Sequence, residues 1–511
     1  MSDAPVGVVG AGTMGAGIAQ VAAVSGRRVL LADAVPGAAE RAVERIRDRV
    51  KSAVAKGRLT VDPDALAITP AALEDFGDCD MVVEAIVEDL DAKKGLFASL
   101  EDVVGPDAIL ASNSSSLTPT AMAAGLRHPE RVVGLHFFNP VPVMKLVEVI
   151  SGLATSPEAA DTAAGLAAAW GKTVVRSTAT PAFIVNRIAR PFYAEAWRLL
   201  EEHATAAENI DAVLTGAGGF RMGPFTLMDL VGHDVNEAVT RSVWTAFGHD
   251  PRYKPSLAQR ALVEGGRFGR KTGRGVYSYD GGVSPARPKP AAAVPAEAVP
   301  RSVTEHGTSP LRPLLARAGT RLVPGDRDDT GAGLPGGLVE LPSGAFLAQC
   351  SGPTATSLAA ALERPVVVVD RALDYETASA LAIAASDGCP PAALNEAAGL
   401  LQAAGLDVYV IEDVPGLIVT RTVAMLVNMA ADALAARVAT AGDIDTAMRL
   451  GVSYPLGPLA WGGQWGVRAV LSVLDSLENW YRDGHYRAAP LLRRWALSER
   501  TVPGQALPRQ P

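Results

Sequence analysis

The stretch that most constrains this chain runs from Val6 to Asp33. Val6 to Val9 reads as a short buried strand and leads into Gly10-Ala11-Gly12-Thr13-Met14-Gly15. An Ala-rich helical stretch, Ala16 to Ser25, follows, and then a second strand, Arg28 to Ala32, that ends on Asp33. That succession is a parallel βαβ unit whose turn lies on the carboxyl edge of a doubly wound sheet. Gly10 permits the tight turn, Gly12 lets the backbone approach a pyrophosphate, and Gly15 lets helix and strand pack closely. The phosphates then rest on the helix N-terminus. An acid at the end of the second strand binds ribose hydroxyls and repels a 2′-phosphate, so Asp33 favours NAD over NADP. A glycine pattern alone is a weak signal; strand, loop, helix, strand and acid in this order form a specific one.

The following segments supply polar groups to the same edge. A charged helix, Ala38 to Gly57, has apolar spacing at Val43, Ile46, Val50 and Val54 and carries Arg47, Arg49, Lys51, Lys56 and Arg58. Most of those cations read as a solvated face. Strand Met81 to Val83 leads to Glu84 and Glu88, then to a helix with Lys93 and Lys94. Strand Ala108 to Ala111 runs into Ser112-Asn113-Ser114-Ser115-Ser116, a hydroxyl-rich turn that by itself suits a helix cap as well as a site. The stretch GLHFFNPVPVMKLVEVI, Gly134 to Ile150, is where chemistry is expected. His136 ends an apolar strand, two prolines exclude helix over Asn139 to Val143, and Glu148 sits in a second β-rich run. A carboxylate that accepts one imidazole N–H fixes the tautomer and raises the basicity of the other nitrogen, which suits removal of a proton from an alcohol. On spacing alone, a satisfied core histidine and an exposed edge glutamate is the favoured reading.

At 511 residues the chain exceeds one core, and a net charge of −8 speaks against a nucleic-acid groove. Three scattered cysteines without CxxC imply a reducing compartment and no metal site. No apolar run reaches membrane-spanning length and no signal peptide is evident, so the expected location is cytoplasmic, without a membrane partner.

From Pro181 the pattern turns helical: Phe183 to Glu202, Ala206 to Thr215, Val235 to Phe247 and Leu257 to Glu264, closed by FGRKTGRGVYSY, Phe268 to Tyr279. The rest repeats part of what precedes it at a constant offset of 234 residues. TPAFIVNR (Thr180 to Arg187) falls on VPGLIVTR (Val414 to Arg421), Ile210-Asp211 on Ile444-Asp445, Gly223-Pro224 on Gly457-Pro458, and VVGLH (Val132 to His136) on VVVVD (Val366 to Asp370). One register over that length marks a duplication. The second copy has no phosphate loop, and His136, Glu148 and Asn186 become Asp370, Ala382 and Thr420. It is expected to be inert and to pack against the first helical domain.

The resulting division is an NAD-binding α/β Rossmann-type domain, 1–180; an all-helical domain, 181–282; a Pro/Ala/Gly-rich linker, 283–337; a truncated α/β remnant, 338–413; and a second all-helical domain, 414–511.

Taken together, GAGTMGAGIAQ, VVEAIVE, SNSSSL, GLHFFNPVPVMKLVEV, FIVNR, MGPFTLMD and FGRKTGRGVY, in this order, resemble the L-3-hydroxyacyl-CoA dehydrogenase family, and the whole chain resembles its long bacterial form with a duplicated C-terminal domain. The resemblance implies a Rossmann-type domain followed by a helical domain like that of 6-phosphogluconate dehydrogenase. It implies NAD-dependent oxidation of a (S)-3-hydroxyacyl-CoA, four-carbon or dicarboxylic, within fatty-acid or phenylacetate catabolism. His136 would be the general base, Glu148 its orienting partner, Ser115 a hydrogen-bond partner of the substrate hydroxyl and Asn186 of the substrate oxygen. Gly10, Gly12, Thr13, Met14, Gly15 and Asp33 would hold NAD, with Glu88, Lys93, Ser115, Asn139 and Lys271 near its nicotinamide and ribose; Lys56 and Ser115 would contact the CoA substrate. Ala179 and Ala182 stand where the family commonly has Asp and Gly, and Ala182 matters if its backbone needs φ > 0. Two rivals remain: a lysine-dependent 3-hydroxyacid dehydrogenase without CoA, and a catalytically silent NAD-binding or structural protein. An internal pseudo-dimer of the helical domains, within a monomer or homodimer, is the expected assembly.

Overall fold

The computed structural model describes residues 4–279, 287–325 and 337–498. The chain divides into two compact units, Met1–Arg187 with Ala433–Val452, and Ile188–Asp432 with Ser453–Pro511. Among the described residues no helix is long and apolar enough to cross a membrane.

The first unit is built on an eight-stranded sheet. Its strands are β1 (Val6–Val9), β2 (Val29–Ala32), β3 (Ile68–Pro70), β4 (Met81–Glu84), β5 (Ile109–Ser112), β6 (Val132–Phe137), β7 (Leu146–Ser151) and β8 (Thr173–Thr178), in the order β3-β2-β1-β4-β5-β6-β7-β8. β1 to β6 are parallel, β7 runs antiparallel to β6, and β8 is parallel to β7. Strands β4, β5 and β6 are buried on both faces, as a covered parallel sheet requires, and so read as continuous apolar runs. Helices Thr13–Val24, Ala38–Ala55 and Pro157–Ala169 bury Ala, Val and Ile against one face. Phe97 and Leu100 of helix Leu90–Glu101 pack on the other, with Phe76 and Met122.

The outer strand β8 is closed by a segment from the second copy. Thr178 donates its backbone N–H to the carbonyl of Val438 at 2.9 Å, and helix Ala441–Gly451 packs on β7 and β8. Gly451 makes that approach possible, because a Cβ there would come within 2.8 Å of Leu146 and 2.9 Å of Val185. Covering an edge strand removes a template for unwanted pairing. Residues 433–452, expected to belong with the second helical domain, therefore belong to the first unit.

The second unit holds a seven-stranded sheet, β9 (Ser302–His306), β10 (Arg321–Pro324), β11 (Leu338–Glu340), β12 (Phe346–Gln349), β13 (Val366–Val369), β14 (Ala380–Ala385) and β15 (Asp407–Val410), ordered β10-β9-β11-β12-β13-β14-β15. Strands β13 to β15 repeat β6 to β8 with the register intact: Val367 opposes Ala385 as Val133 opposes Ser151, and Ala380 opposes Asp407 as Leu146 opposes Thr173. Helices Ala207–Gly216, Ala355–Leu362 and Pro391–Ala403 pack on it.

The segment 283–337 is not a linker throughout. β9, helix Arg312–Arg317 and the parallel strand β10 form a βαβ unit that extends the second sheet. The sequence concealed it because the inward face of β9 carries an acid. Glu305 is buried and accepts both Arg312 nitrogens, at 2.7 and 2.6 Å, and the amide of Ser309 at 2.8 Å. Part of that segment, with 280–286 and 326–336, lies outside the described residues.

Ala182 does adopt the left-handed region, with φ of 63°, followed by Phe183 at 49°. Gly416 and Leu417 repeat that bend at 72° and 44°. The turn before each copy's first long helix thus asks for glycine at its first position, and only the second copy has it.

Candidate active site

Register brings the polar strand ends together. Val9 pairs with Glu84, Glu84 with Ser112, and Ser112 with Gly134, so the residues following β1, β4, β5 and β6 share the carboxyl edge. In a doubly wound sheet this edge is where ligands bind.

The glycine loop has the form a dinucleotide needs. Gly10 has φ of 103°, and a Cβ on Gly15 would collide with the carbonyl of Gly10. A Cβ on Gly12 would meet nothing within 4 Å, which leaves the space that a pyrophosphate fills. Helix Thr13–Val24 starts there with no side-chain cap, so its first amides and the positive end of its dipole are uncommitted. Thr13 and Met14 form its first turn. Asp33 accepts the amide of Ala11 at 2.6 Å and of Val35 at 2.8 Å, which fixes the acid beside the loop. These residues fit NAD.

His136 and Glu148 are directly opposed on antiparallel β6 and β7. Glu148 Oε2 lies 2.6 Å from Nδ1 of His136, and Oε1 accepts the amides of Ile184 and Val185 at 3.2 and 3.0 Å. With a carboxylate facing Nδ1, the proton sits on Nδ1 and the lone pair on Nε2. Among the described residues Nε2 has no hydrogen-bond partner. The rings of Phe138 and Phe183, centred 4.6 and 5.8 Å from the imidazole, wall the pair. The same carboxylate anchors the start of helix Val185–Ile188, which carries the half-buried Asn186.

The serine turn is held from both sides. Asn113 Oδ1 accepts the amide of Phe137 at 2.9 Å, tying the turn to the end of β6. Ser114 and Ser116 donate their hydroxyls to Glu88 at 2.5 and 2.7 Å. Ser115, between them and half-buried, makes no hydrogen bond among the described residues. Burial pushes the Glu88 carboxyl up, yet the two serine hydroxyls and Lys93 carry it below its ordinary value. Lys93 is only 1% exposed and bridges Glu84 at 2.8 Å to Glu88 at 3.4 Å. Its ammonium braces the two acids. Glu84 itself, to which the sequence assigned no role, also takes the Ser112 hydroxyl and the amide of Ile86.

Asn139 is exposed at the head of the proline turn, and its bond to Pro140 is cis. Lys172 holds the turn, donating to the carbonyls of Val141 at 2.5 Å and Met144 at 2.8 Å, and burial pulls its ammonium down to about 8. No sequence signal marked Lys172. Lys56 is exposed at the C-terminus of helix Ala38–Ala55. Lys271 belongs to the second unit, where it is half-exposed and paired with Asp234 at 2.6 Å.

The second copy shows what the pair does structurally. Asp370, at the place of His136, is fully buried and accepts the amides of Ile418, Val419 and Thr420 at 2.9, 2.7 and 3.0 Å, and the Thr420 hydroxyl at 2.7 Å. Ile418 and Val419 are the repeats of Ile184 and Val185. The brace of the loop has moved from one strand to its neighbour, and the imidazole has gone.

Three family models match the chain. The 3-hydroxyacyl-CoA dehydrogenase NAD-binding domain covers residues 5–180, and the C-terminal domain of the same dehydrogenases matches twice, over 183–279 and 416–502. The reduced Rossmann-fold domain of 3-hydroxybutyryl-CoA dehydrogenase covers 347–415. The 3-hydroxyadipyl-CoA dehydrogenase of Escherichia coli (strain K12) is 45% identical over 498 residues, 97% of this chain and 98% of that one. The crystal structure of 3-hydroxybutyryl-CoA dehydrogenase from Escherichia coli K12 superposes with a TM-score of 0.88 at 44% identity, covering 98% of this chain and 99% of that one. The (S)-3-hydroxybutyryl-CoA dehydrogenase of Ralstonia eutropha matches 55% of this chain and all of its own, with a TM-score of 0.53 at 38% identity. The repeated C-terminal match agrees with the duplication read from the 234-residue offset.

Proposed function

Because the chain belongs to the 3-hydroxyacyl-CoA dehydrogenase family, we propose that His136 removes the hydroxyl proton while a (S)-3-hydroxyacyl-CoA is oxidised to the 3-oxoacyl-CoA. The observation that carries the reading is the imidazole held at 2.6 Å from a buried carboxylate, with its second nitrogen uncommitted. NAD, when bound, supplies the hydride acceptor. Gly10, Gly12, Thr13, Met14 and Gly15 would hold its phosphates, and Asp33 its adenosine ribose. Glu88 and Asn139 are proposed near the nicotinamide end, with Lys93 acting through Glu84 and Glu88.

The chain's own work is acid–base and positional. Glu148 keeps the proton on Nδ1 and stabilises the imidazolium once Nε2 has been protonated. Ser115 would donate to the substrate oxygen from a turn whose other hydroxyls are already engaged, and Asn186 would hold that oxygen as a carbonyl forms. Lys56, exposed on a basic helix, would attract phosphates of coenzyme A. The acyl group is proposed to be four-carbon or dicarboxylic, after the relatives' names.

NADH formation with 3-hydroxybutyryl-CoA tests the reading. His136→Ala is expected to lose ~10²–10⁴ in kcat with NAD binding retained. Equal rates for variant and parent would sink the assignment of the base. Activity on the free 3-hydroxy acid but on no CoA thioester would favour the lysine-dependent rival.

A further inference from the structure

The second unit contains a cavity of about 410 Å³ with an unusual occupant of its wall. Arg190, Tyr193, Trp197, Thr240, Tyr253 and Lys254 line it. Arg190 is 5% exposed, yet no ion pair among the described residues joins it to a carboxylate. Among the described residues its one hydrogen bond runs from Nη1 to the Thr240 hydroxyl at 3.1 Å and its Nε has no partner, while the guanidinium packs 5.1 Å from the centre of the Tyr193 ring. The contrast within the same unit is sharp. Arg421 is paired with Glu195 and Glu202, and Arg252 with Asp250 and Asp432.

A buried guanidinium without a counter-charge costs stability, and a chain that keeps one uses it or is penalised for it. Arg190 is also the first residue of helix Arg190–Glu201, so it adds its charge to the positive end of the helix dipole. The fold does not demand a cation there: the repeat places Ala424, fully buried, at the equivalent position. The carboxylate on the wall, Glu201, is taken by the Ser256 hydroxyl at 2.7 Å and the amide of Ala258 at 3.3 Å.

We propose that this cavity is a carboxylate site, in which Arg190 and the Thr240 hydroxyl bind the carboxylate of a short-chain ligand whose methylenes lie on Tyr193 and Trp197. A guanidinium suits a planar carboxylate, and the cavity is of a size that holds small ligands. Two sources share this chemistry: a free dicarboxylate, or the terminal carboxylate of a dicarboxylic 3-hydroxyacyl-CoA. The second rests on the dehydrogenase reading above; the first does not.

The test uses the full-length protein. Adipate, with adipamide as the uncharged control, is titrated by calorimetry against wild type, Arg190→Met and Arg190→Lys, and melting temperatures are recorded. In parallel, kcat/KM is compared for six-carbon monocarboxylic and dicarboxylic 3-hydroxyacyl-CoA. Adipate binding that weakens at least tenfold in Arg190→Met, with the melting temperature equal or higher, supports a site for a free dicarboxylate. A fall of at least tenfold in the dicarboxylic-to-monocarboxylic ratio in Arg190→Met, partly restored by Arg190→Lys, supports the acyl source. Adipate affinity equal to that of adipamide, together with a substrate ratio insensitive to Arg190→Met, overturns the proposal. No turnover of any CoA thioester with Arg190-dependent adipate binding intact would instead refute the dehydrogenase reading alone.

Discussion

At the scale of single residues, one carboxylate decides the most. Glu148 serves the imidazole with one oxygen and the backbone of Ile184 and Val185 with the other. Glu148→Gln keeps the shape but puts an NH2 donor at one of two positions that both accept N–H groups. It is expected to lower kcat by about tenfold or more and to destabilise by about 1–3 kcal/mol, read by steady-state kinetics and calorimetry. Ala182 gives the opposite kind of prediction. Its left-handed backbone strains an alanine, so Ala182→Gly should stabilise the chain by about 1 kcal/mol and raise the first melting transition by a few degrees, without lowering kcat. A melting temperature equal to or below that of wild type would refute the strain. The departure at Ala182 was visible in the sequence; whether it mattered depended on a dihedral angle that no pattern supplies.

Elements show where sequence and structure part. That His136 meets Glu148 came only with the β6–β7 register. The βαβ start and strands β4 to β7 were legible, because continuous apolar runs, glycines at fixed offsets and prolines each admit few backbones. The β9–β10 unit was not, since its inward face carries Glu305, neutralised by Arg312 seven residues on. The Glu84–Lys93–Glu88 brace escaped as well: it joins a strand end, the loop after it and the next helix, and such a charge cluster leaves no periodicity. Lys172 and Arg190 are known only by what surrounds them. The closing segment of the first helical domain follows similar logic. Asp229, buried, accepts His233 at 2.8 Å, the amides of Val276 and Tyr277 at 3.0 Å and the Tyr279 hydroxyl at 2.9 Å. Burial raises its carboxyl, but those donors together bring it below its ordinary value. A carboxyl depressed by folding adds stability above its unfolded pKa of about 4 and loses it as pH falls through the lower folded value. Asp229→Asn should therefore be less stable at neutral pH and show a shallower acid transition, measured by melting scans between about pH 2 and 7. An unchanged acid slope would count against this brace.

At the scale of the whole molecule, the duplication sets helices of the two copies against each other within one unit. Helix Arg190–Glu201 presents Glu195, which is fully buried and meets Arg421 at 3.3 Å, His485 at 2.7 Å and Tyr486 at 2.8 Å, all from the second copy. Burial opposes its charge, but His485 and Arg421 hold the carboxyl below its ordinary value. Arg421→Met would leave Glu195 and Glu202 without their shared cation, at a cost of about 3 kcal/mol, seen as a lower melting temperature. We propose that this contact is the pseudo-dimer, and light scattering on a chain truncated after Tyr279 checks it: aggregation or self-association is expected, and a well-behaved monomer would refute it. Asp370 carries a last consequence. Because the aspartate now supports the amides of Ile418, Val419 and Thr420, the lost histidine has no single-step way home. Restoring it alone would strip that loop of its acceptor before Ala382 had become acidic, so no single substitution rebuilds the imidazole–carboxylate pair in the second copy. Asp370→His should melt well below wild type, and adding Ala382→Glu should recover much of the loss.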